Sequence, residues 1–333
     1  MKQVGLQKPK VVVIDDADGI VGGHPGLAEL QRIAEVVVLG TVSNDEFVDA
    51  AWDASVIIPF RERRILSEEL LERLPGLLHI AQTGGGVAHL DLAAAKRRGI
   101  SYSLTPGASA PAVAELVIGL IVDGLRGLRA GNASLRGGAW ERPLGREISE
   151  VTFGVLGAGA TGAAVADRIR ALGGQVLVAS RRPDALEGRF PLVSHSALFE
   201  QSDVVSIHVE LSSATTSCVG EMELDALGPK GGLINVARAA IVDSSALLSA
   251  LENDRLGWAG LDVFDIEPPS GNRLIAHPRV FATPHLGWRT RGTLERYVAG
   301  ALSNATKFLH SGASGESVLQ QNPPTTMDDR NIS

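Results

Sequence analysis

Along the first hundred residues, short apolar runs alternate with segments whose apolar positions recur every three to four residues, the pattern of strands alternating with amphipathic helices. Val11-Val12-Val13-Ile14 is followed by a helix from Pro25 through Ala34 and by Val36-Val37-Val38-Leu39. Ser43 and Glu46 form a capping-box pair that starts a helix to about Trp52, Ser55 to Phe60 is apolar and extended, and Ser67-Glu68-Glu69 caps a further helix. Leu77 to Ala81, a helix from Asp91 to Arg98 stopped by Gly99, and Ile100 to Leu104 complete the series. The strands are apolar throughout, which calls for a parallel sheet covered on both faces.

The pattern starts afresh at Val151. An apolar strand, Val151 to Leu156, runs straight into Gly157-Ala158-Gly159-Ala160-Thr161-Gly162. The helix that follows carries Gly162, Val165, Ala166, Ile169 and Leu172 on one face and Asp167, Arg168 and Arg170 on the other. A second strand, Gln175 to Ser180, closes a βαβ unit. In this context G-x-G-x-x-G reads as a dinucleotide clamp: Gly157 permits the tight turn, Gly159 lets a pyrophosphate approach the backbone, and Gly162 lets helix pack on strand. A Gly-rich turn without a ligand is the bland alternative. Four more apolar runs, Asp203 to Val209, Gly231 to Val236, Leu256 to Asp262 and Val280 to Ala282, predict a sheet of about six strands.

The fold expected is therefore α/β, with two doubly wound parallel-sheet domains. A helical pattern from Thr290 to Leu309 is expected to return to the first domain. This puts a Rossmann domain at 108–288 inside a flavodoxin-like domain made of 1–107 and 289–333. Between them Ala110 to Val122 is apolar nearly all round its circumference. Such a helix is buried on several sides, and it is expected to cross between the domains and offer a face to a second copy in a homodimer. A monomer with a thick core is the competing reading. From Ser311 onward, Gly, Ser, Pro and Asp suggest a loose tail.

A length of 333 residues with 44% hydrophobic content suits two domains with their own cores. A net charge of −7 argues against a nucleic-acid partner. The single cysteine, Cys218, excludes an internal disulfide and sits in a polar run, more structural than reactive. Met1 to Lys10 is polar and no apolar run approaches the ~20 residues of a membrane span. A reducing, cytoplasmic setting, no membrane partner and no metal are expected.

Three strand-end segments in the second half carry reactive side chains: Asn235-Val236-Ala237-Arg238, the stretch Gly260 to Pro268 with Glu267, and Thr283-Pro284-His285-Leu286-Gly287-Trp288. In an open α/β sheet ligands sit at the carboxyl ends of strands. An arginine, a glutamate and a histidine arriving there together make a carboxylate anchor, an orienting acid and a proton donor.

With these motifs the chain, over nearly all of residues 10 to 310, closely resembles the D-isomer-specific 2-hydroxyacid dehydrogenase family, which includes glyoxylate/hydroxypyruvate reductases. The carrying motifs are the late G-x-G-x-x-G, N-V-A-R followed by Val242-Asp243, G-L-D-V-F-x-x-E-P and T-P-H-L-G-W. The resemblance implies hydride transfer between a nicotinamide cofactor and a small 2-oxo or D-2-hydroxy acid. Arg238 would bind the substrate carboxylate and polarise the carbonyl, His285 would donate the proton, and Glu267 would hydrogen-bond His285. The cofactor would meet Gly157, Gly159, Ala160, Thr161, Gly162, Ser180, Arg181, Arg182, His208, Thr215, Ala237 and Gly287, with Asp262 at the nicotinamide carboxamide. Thr83 to Val87 falls on the family's substrate loop, where Gly85 and Gly86 would cradle the carboxylate. Arg61 and Trp288 are candidates for the distal end of the pocket, or surface residues.

Two positions depart from the family. Ala88, followed by His89, stands where an aspartate is common, and Glu210 where a proline is usual. Ser180-Arg181-Arg182 stands where NAD enzymes place an acid, so NADP is the expected preference, with NAD possible; solvated arginines are the alternative, and Asp184 lies close. The alternative function on the same fold is a nucleotide-sensing, corepressor-like binding protein.

Overall fold

The structure is a computed structural model that describes residues 8–181, 186 and 188–312. It divides into two compact units, one formed by the chain through Ala108 together with the segment from Leu294, the other by Ser109–Thr293.

In the first unit the strands are β1 (Lys10–Ile14), β2 (Glu35–Val38), β3 (Val56–Pro59), β4 (His79–Ala81) and β5 (Ser101–Ser103). Between them run α1 (Pro25–Ile33), α2 (Asn44–Ala51), α3 (Glu68–Glu72) and α4 (Leu92–Arg97). The sheet is parallel in the order β2-β1-β3-β4-β5, the flavodoxin-like order. Because side chains alternate across a strand, β1 feeds two cores. Val12 and Ile14 join Phe47, Leu70 and Ala94 from α2, α3 and α4. Val11 and Val13 join Leu30 from α1 and Val298, Ala301 and Phe308 from the last helix. The capping box at Ser43 and Glu46 forms as its spacing predicts, and Ser67 and Asp91 cap α3 and α4. His79 is wholly buried in β4, stacked on Phe308 and bonded through both ring nitrogens to Ser101 (2.7 Å) and Ser103 (2.9 Å).

The second unit opens with α5 (Ala110–Arg126) and α6 (Leu128–Arg136). It continues through β6 (Thr152–Leu156), α7 (Ala160–Ala171), β7 (Gln175–Ala179), α8 (His195–Gln201), β8 (Val204–Ile207), α9 (Glu221–Leu227), β9 (Gly232–Asn235), α10 (Ser244–Glu252), β10 (Trp258–Leu261), α11 (Arg273–Ala276) and β11 (Val280–Ala282). α12 (Arg291–His310) then leads into the first unit. Among the described residues six strands lie parallel in the order β11-β10-β9-β8-β6-β7. Outside β7, Val178 bonds the backbone of Pro191 (3.0 Å) and Val193 (2.9 Å), a rudimentary strand bridging Val178 to Leu192. Counting it, the order becomes that of a dinucleotide-binding Rossmann sheet with β11 added at the far edge.

The sequence expectation for the Ala110 helix changes in two ways. α5 lies wholly in the second unit, packing Ala114, Val117 and Ile121 with Val165, Ala166 and Ile169 of α7. Its outer face carries Glu115, Gly119 and Arg126, which are exposed. A run of exposed apolar side chains follows just beyond: α6 buries no residue, and Leu128, Leu135, Trp140 and Leu144 are all open to solvent. Among the described residues no helix is long and apolar enough to cross a membrane.

Candidate active site

At the end of β6 the backbone turns at Gly157 with φ +105°, and a β-carbon there would come within 2.7 Å of the His208 carbonyl group. A β-carbon at Gly162 would overlap the Gly157 carbonyl oxygen, so only glycine lets α7 start this close to the strand. Gly159 differs, with nothing within 4 Å of where its β-carbon would lie. It caps α7 without a side-chain hydrogen bond; Gly159 and Ala160 are exposed and Thr161 half-buried. An open cradle at the N terminus of a 12-residue helix fits the pyrophosphate of a dinucleotide, which takes the unpartnered N–H groups and the positive end of the helix dipole.

Ser180, half-buried, and Arg181, exposed, follow β7 directly. Arg182 and Asp184 lie outside the described residues. At the end of β8, His208 Nε2 pairs with Ser206 Oγ at 2.8 Å, and burial holds its imidazole well below the usual range. The Thr215 hydroxyl accepts from Ser212 N–H (2.8 Å) and donates to the Glu210 carbonyl (2.6 Å), so it folds the 210–216 turn.

The reactive side chains gather where β9, β10 and β11, neighbours in the sheet, end together. Beyond β9, buried Asn235 accepts from Ala237 N–H (3.0 Å) and donates to the Arg238 carbonyl (2.9 Å), fixing the turn from which the exposed Arg238 projects. Arg238 Nη1 donates to the Ala237 carbonyl at 2.8 Å. Beyond β10, Glu267 Oε1 accepts from Phe264 N–H (3.0 Å), and its Oε2 lies 2.7 Å from His285 Nδ1. Both side chains of this pair are about one-third exposed, at 36% and 37%. With a carboxylate as its partner Nδ1 is the donor, and Nε2 lies on the side of the ring away from the acid.

The His285 loop is held from below. Asp262 is 1% exposed; its Oδ1 accepts from the Thr283 hydroxyl (2.6 Å) and Leu286 N–H (2.7 Å), and its Oδ2 from Gly287 N–H (2.8 Å). His285 itself adopts φ +54°, a strained conformation for a residue with a β-carbon. The carboxylate that the sequence suggested for the nicotinamide is thus engaged in positioning the histidine, and Gly287 N–H is engaged with it. Sequence reasoning assigned no role to Asn235 or Thr283. The available signal was a polar residue at a strand end directly before a reactive one.

In the first unit Gly84 N–H donates to Thr105 Oγ1 (2.6 Å), and Gly84 is buried. Gly85 is exposed and Gly86 half-buried, and among the described residues neither N–H donates to the chain. His89 is turned inward, 6% exposed, with Nε2 paired to Gln82 Oε1 at 3.2 Å. Arg61, at φ +69°, lies over the Tyr297 ring at 5.0 Å. Trp288, in the second unit, is half-buried with the Arg289 guanidinium 5.8 Å from its ring centre.

The family model for the D-isomer specific 2-hydroxyacid dehydrogenase NAD binding domain matches residues 118–287. The chain is 33% identical over 279 residues to a glyoxylate reductase from Thermococcus litoralis, covering 78% of this chain and 83% of that protein. It is 34% identical over 263 residues to a D-3-phosphoglycerate dehydrogenase from Bacillus subtilis, covering 77% of this chain and 49% of that one. Among solved structures it is similar to the TT0316 protein from Thermus thermophilus, with a TM-score of 0.79, 34% identity, and coverage of 91% and 97%.

Proposed function

The chain belongs to the D-isomer specific 2-hydroxyacid dehydrogenase family, oxidoreductases of 2-oxo and 2-hydroxy acids that use a nicotinamide cofactor, and on that footing we propose that it reduces glyoxylate- and hydroxypyruvate-sized 2-oxo acids. A bound nicotinamide dinucleotide supplies the hydride. The exposed Arg238 guanidinium anchors the substrate carboxylate and polarises the carbonyl. His285 delivers the proton from Nε2 to the carbonyl oxygen, and Glu267 holds the ring so that this nitrogen is presented. In the first unit the N–H groups of Gly85 and Gly86, which donate to nothing else among the described residues, suit a carboxylate. Addition of hydride at carbon and a proton at oxygen turns C=O into CH–OH, and His285 recovers its proton from solvent.

The carrying observation is the 2.7 Å pairing of Glu267 with His285 at the carboxyl ends of adjacent strands. Oxidation of NADPH or NADH in the presence of glyoxylate or hydroxypyruvate tests the reading; no turnover with any 2-oxo acid would leave the corepressor-like alternative.

Three finer points belong to the same reading. Ser180 and Arg181 after β7, with no acid there, favour NADP over NAD. The apolar side chains of Leu128, Leu135, Trp140 and Leu144 favour a homodimer built on the α6 segment, which sedimentation would read as twice the 34.9 kDa chain mass. The unreactive Cys218, its thiol pushed up by burial, suits a reducing cytoplasm.

A further inference from the structure

The segment after β3 is fastened to the glycine loop by buried residues. Arg61 N–H donates to Thr83 Oγ1 (2.6 Å), the Thr83 hydroxyl donates to the Pro59 carbonyl (2.9 Å), and Gln82 Nε2 donates to the Arg61 and Thr83 carbonyls (3.2 Å each). Thr83 and Gln82 are both wholly buried. At the surface of this fixed frame two opposite charges face two glycines. Arg61 Nη1 lies 2.9 Å from where a β-carbon on Gly84 would be, and a β-carbon on Gly86 would overlap the Glu62 carboxylate. His89 beneath them is lowered in proton affinity by burial first, then raised by Glu62 and lowered by Arg61, so both charges reach the same spot.

We propose that Glu62 determines substrate specificity: it admits 2-oxo acids with a single negative charge and a short or hydroxylated tail, and it rejects those whose tail carries a second anion such as a phosphate. The proposal rests on the reading of Gly85 and Gly86 as the carboxylate cradle. A substrate carboxylate held there brings its third carbon within a few ångströms of Gly86, beside Glu62. A hydroxyl on that carbon donates to Glu62 and accepts from Arg61, matching both charges. A phosphate only accepts, so Arg61 suits it and Glu62 opposes it. Like unit charges about 6 Å apart in a half-exposed site correspond to roughly a ten- to hundredfold loss of relative efficiency.

The test is kcat/KM for glyoxylate, hydroxypyruvate and 3-phosphohydroxypyruvate at saturating cofactor, in wild type, Glu62→Gln and Glu62→Asp. Glu62 is exposed, so both variants are expected to fold. The wild type should prefer hydroxypyruvate to its phosphorylated form. In Glu62→Gln the ratio should move toward the phosphorylated substrate by about ten- to hundredfold, whereas Glu62→Asp, which keeps the charge, should stay near wild type. A wild-type preference for the phosphorylated substrate, or a ratio that Glu62→Gln leaves within about twofold, overturns the role of Glu62 while leaving the reductase reading intact. A wild type inert toward all three overturns the reading beneath it.

Discussion

Asp262 and Gly287 are 25 residues apart in the chain and 2.8 Å apart in the structure, joined by a hydrogen bond from the Gly287 amide to a buried carboxylate. The same carboxylate takes the Thr283 hydroxyl and the Leu286 amide, so it grips the loop on both sides of His285. A loop that holds a histidine at positive φ needs such a constraint, because the relaxed backbone would turn the ring away.

Asp262→Asn keeps the size of the side chain and places an amide NH2 against donors. We expect a stability loss of about 2 to 3 kcal/mol, the cost of leaving buried donors unsatisfied, together with a fall in turnover as His285 loses its position. Denaturant unfolding and steady-state rates on the same preparation check this. A loss under about 0.5 kcal/mol would show that the loop holds itself.

The first unit carries a different liability. Burial lowers the His79 imidazole from 6.5 to about 4. Above pH 6.5 the ring is neutral in folded and unfolded chains alike. Between pH 6.5 and about 4 the unfolded chain takes up a proton that the folded chain does not, so stability falls as pH falls, by about 3 kcal/mol from this one site. His79→Leu should be less stable at pH 7 yet show a flatter decline below pH 6.5. Parallel declines for the two proteins would remove His79 as the cause.

For the cofactor, we expect wild-type kcat/KM to favour NADPH over NADH and Arg181→Ala to reduce that preference by about ten- to hundredfold, since a charge-assisted phosphate contact contributes ~1.5–3 kcal/mol. A wild-type preference for NADH would overturn the assignment. A ratio indifferent to Arg181 would move the phosphate contact to Ser180 or Arg182.

Much of this was legible in the sequence because the signals were local. Val12 and Ile14 on one face and Val11 and Val13 on the other can only belong to a strand buried on both sides, and the Ser43 and Glu46 pair names its own helix start. The N-V-A-R, G-L-D-V-F-x-x-E-P and T-P-H-L-G segments placed the arginine, glutamate and histidine just past strand ends. What sequence reading missed depends on distant partners. The strand remnant at Leu192 is one bridge long, too short to leave a pattern. The helices α8 to α11 are each nine residues or fewer, between strong strands that dominate the hydropathy. The apolar Ala110 helix showed that it was buried but not where, and exposed apolar side chains follow it on α6 (Leu128, Leu135) and just past it (Trp140, Leu144), in a stretch whose composition is mixed. The grip of Asp262 on Leu286 and Gly287 has no local signature, since both donors are backbone amides.

The central claim, that this protein is a 2-oxo acid reductase in which His285 is the proton donor, is tested most directly by the steady-state rate of glyoxylate or hydroxypyruvate reduction in wild type and His285→Ala, with cofactor affinity measured separately by fluorescence titration. The account predicts turnover in the wild type, a loss of about 10²- to 10⁴-fold in the variant, and cofactor binding that changes little. A variant that reduces substrate at a near-normal rate would contradict it.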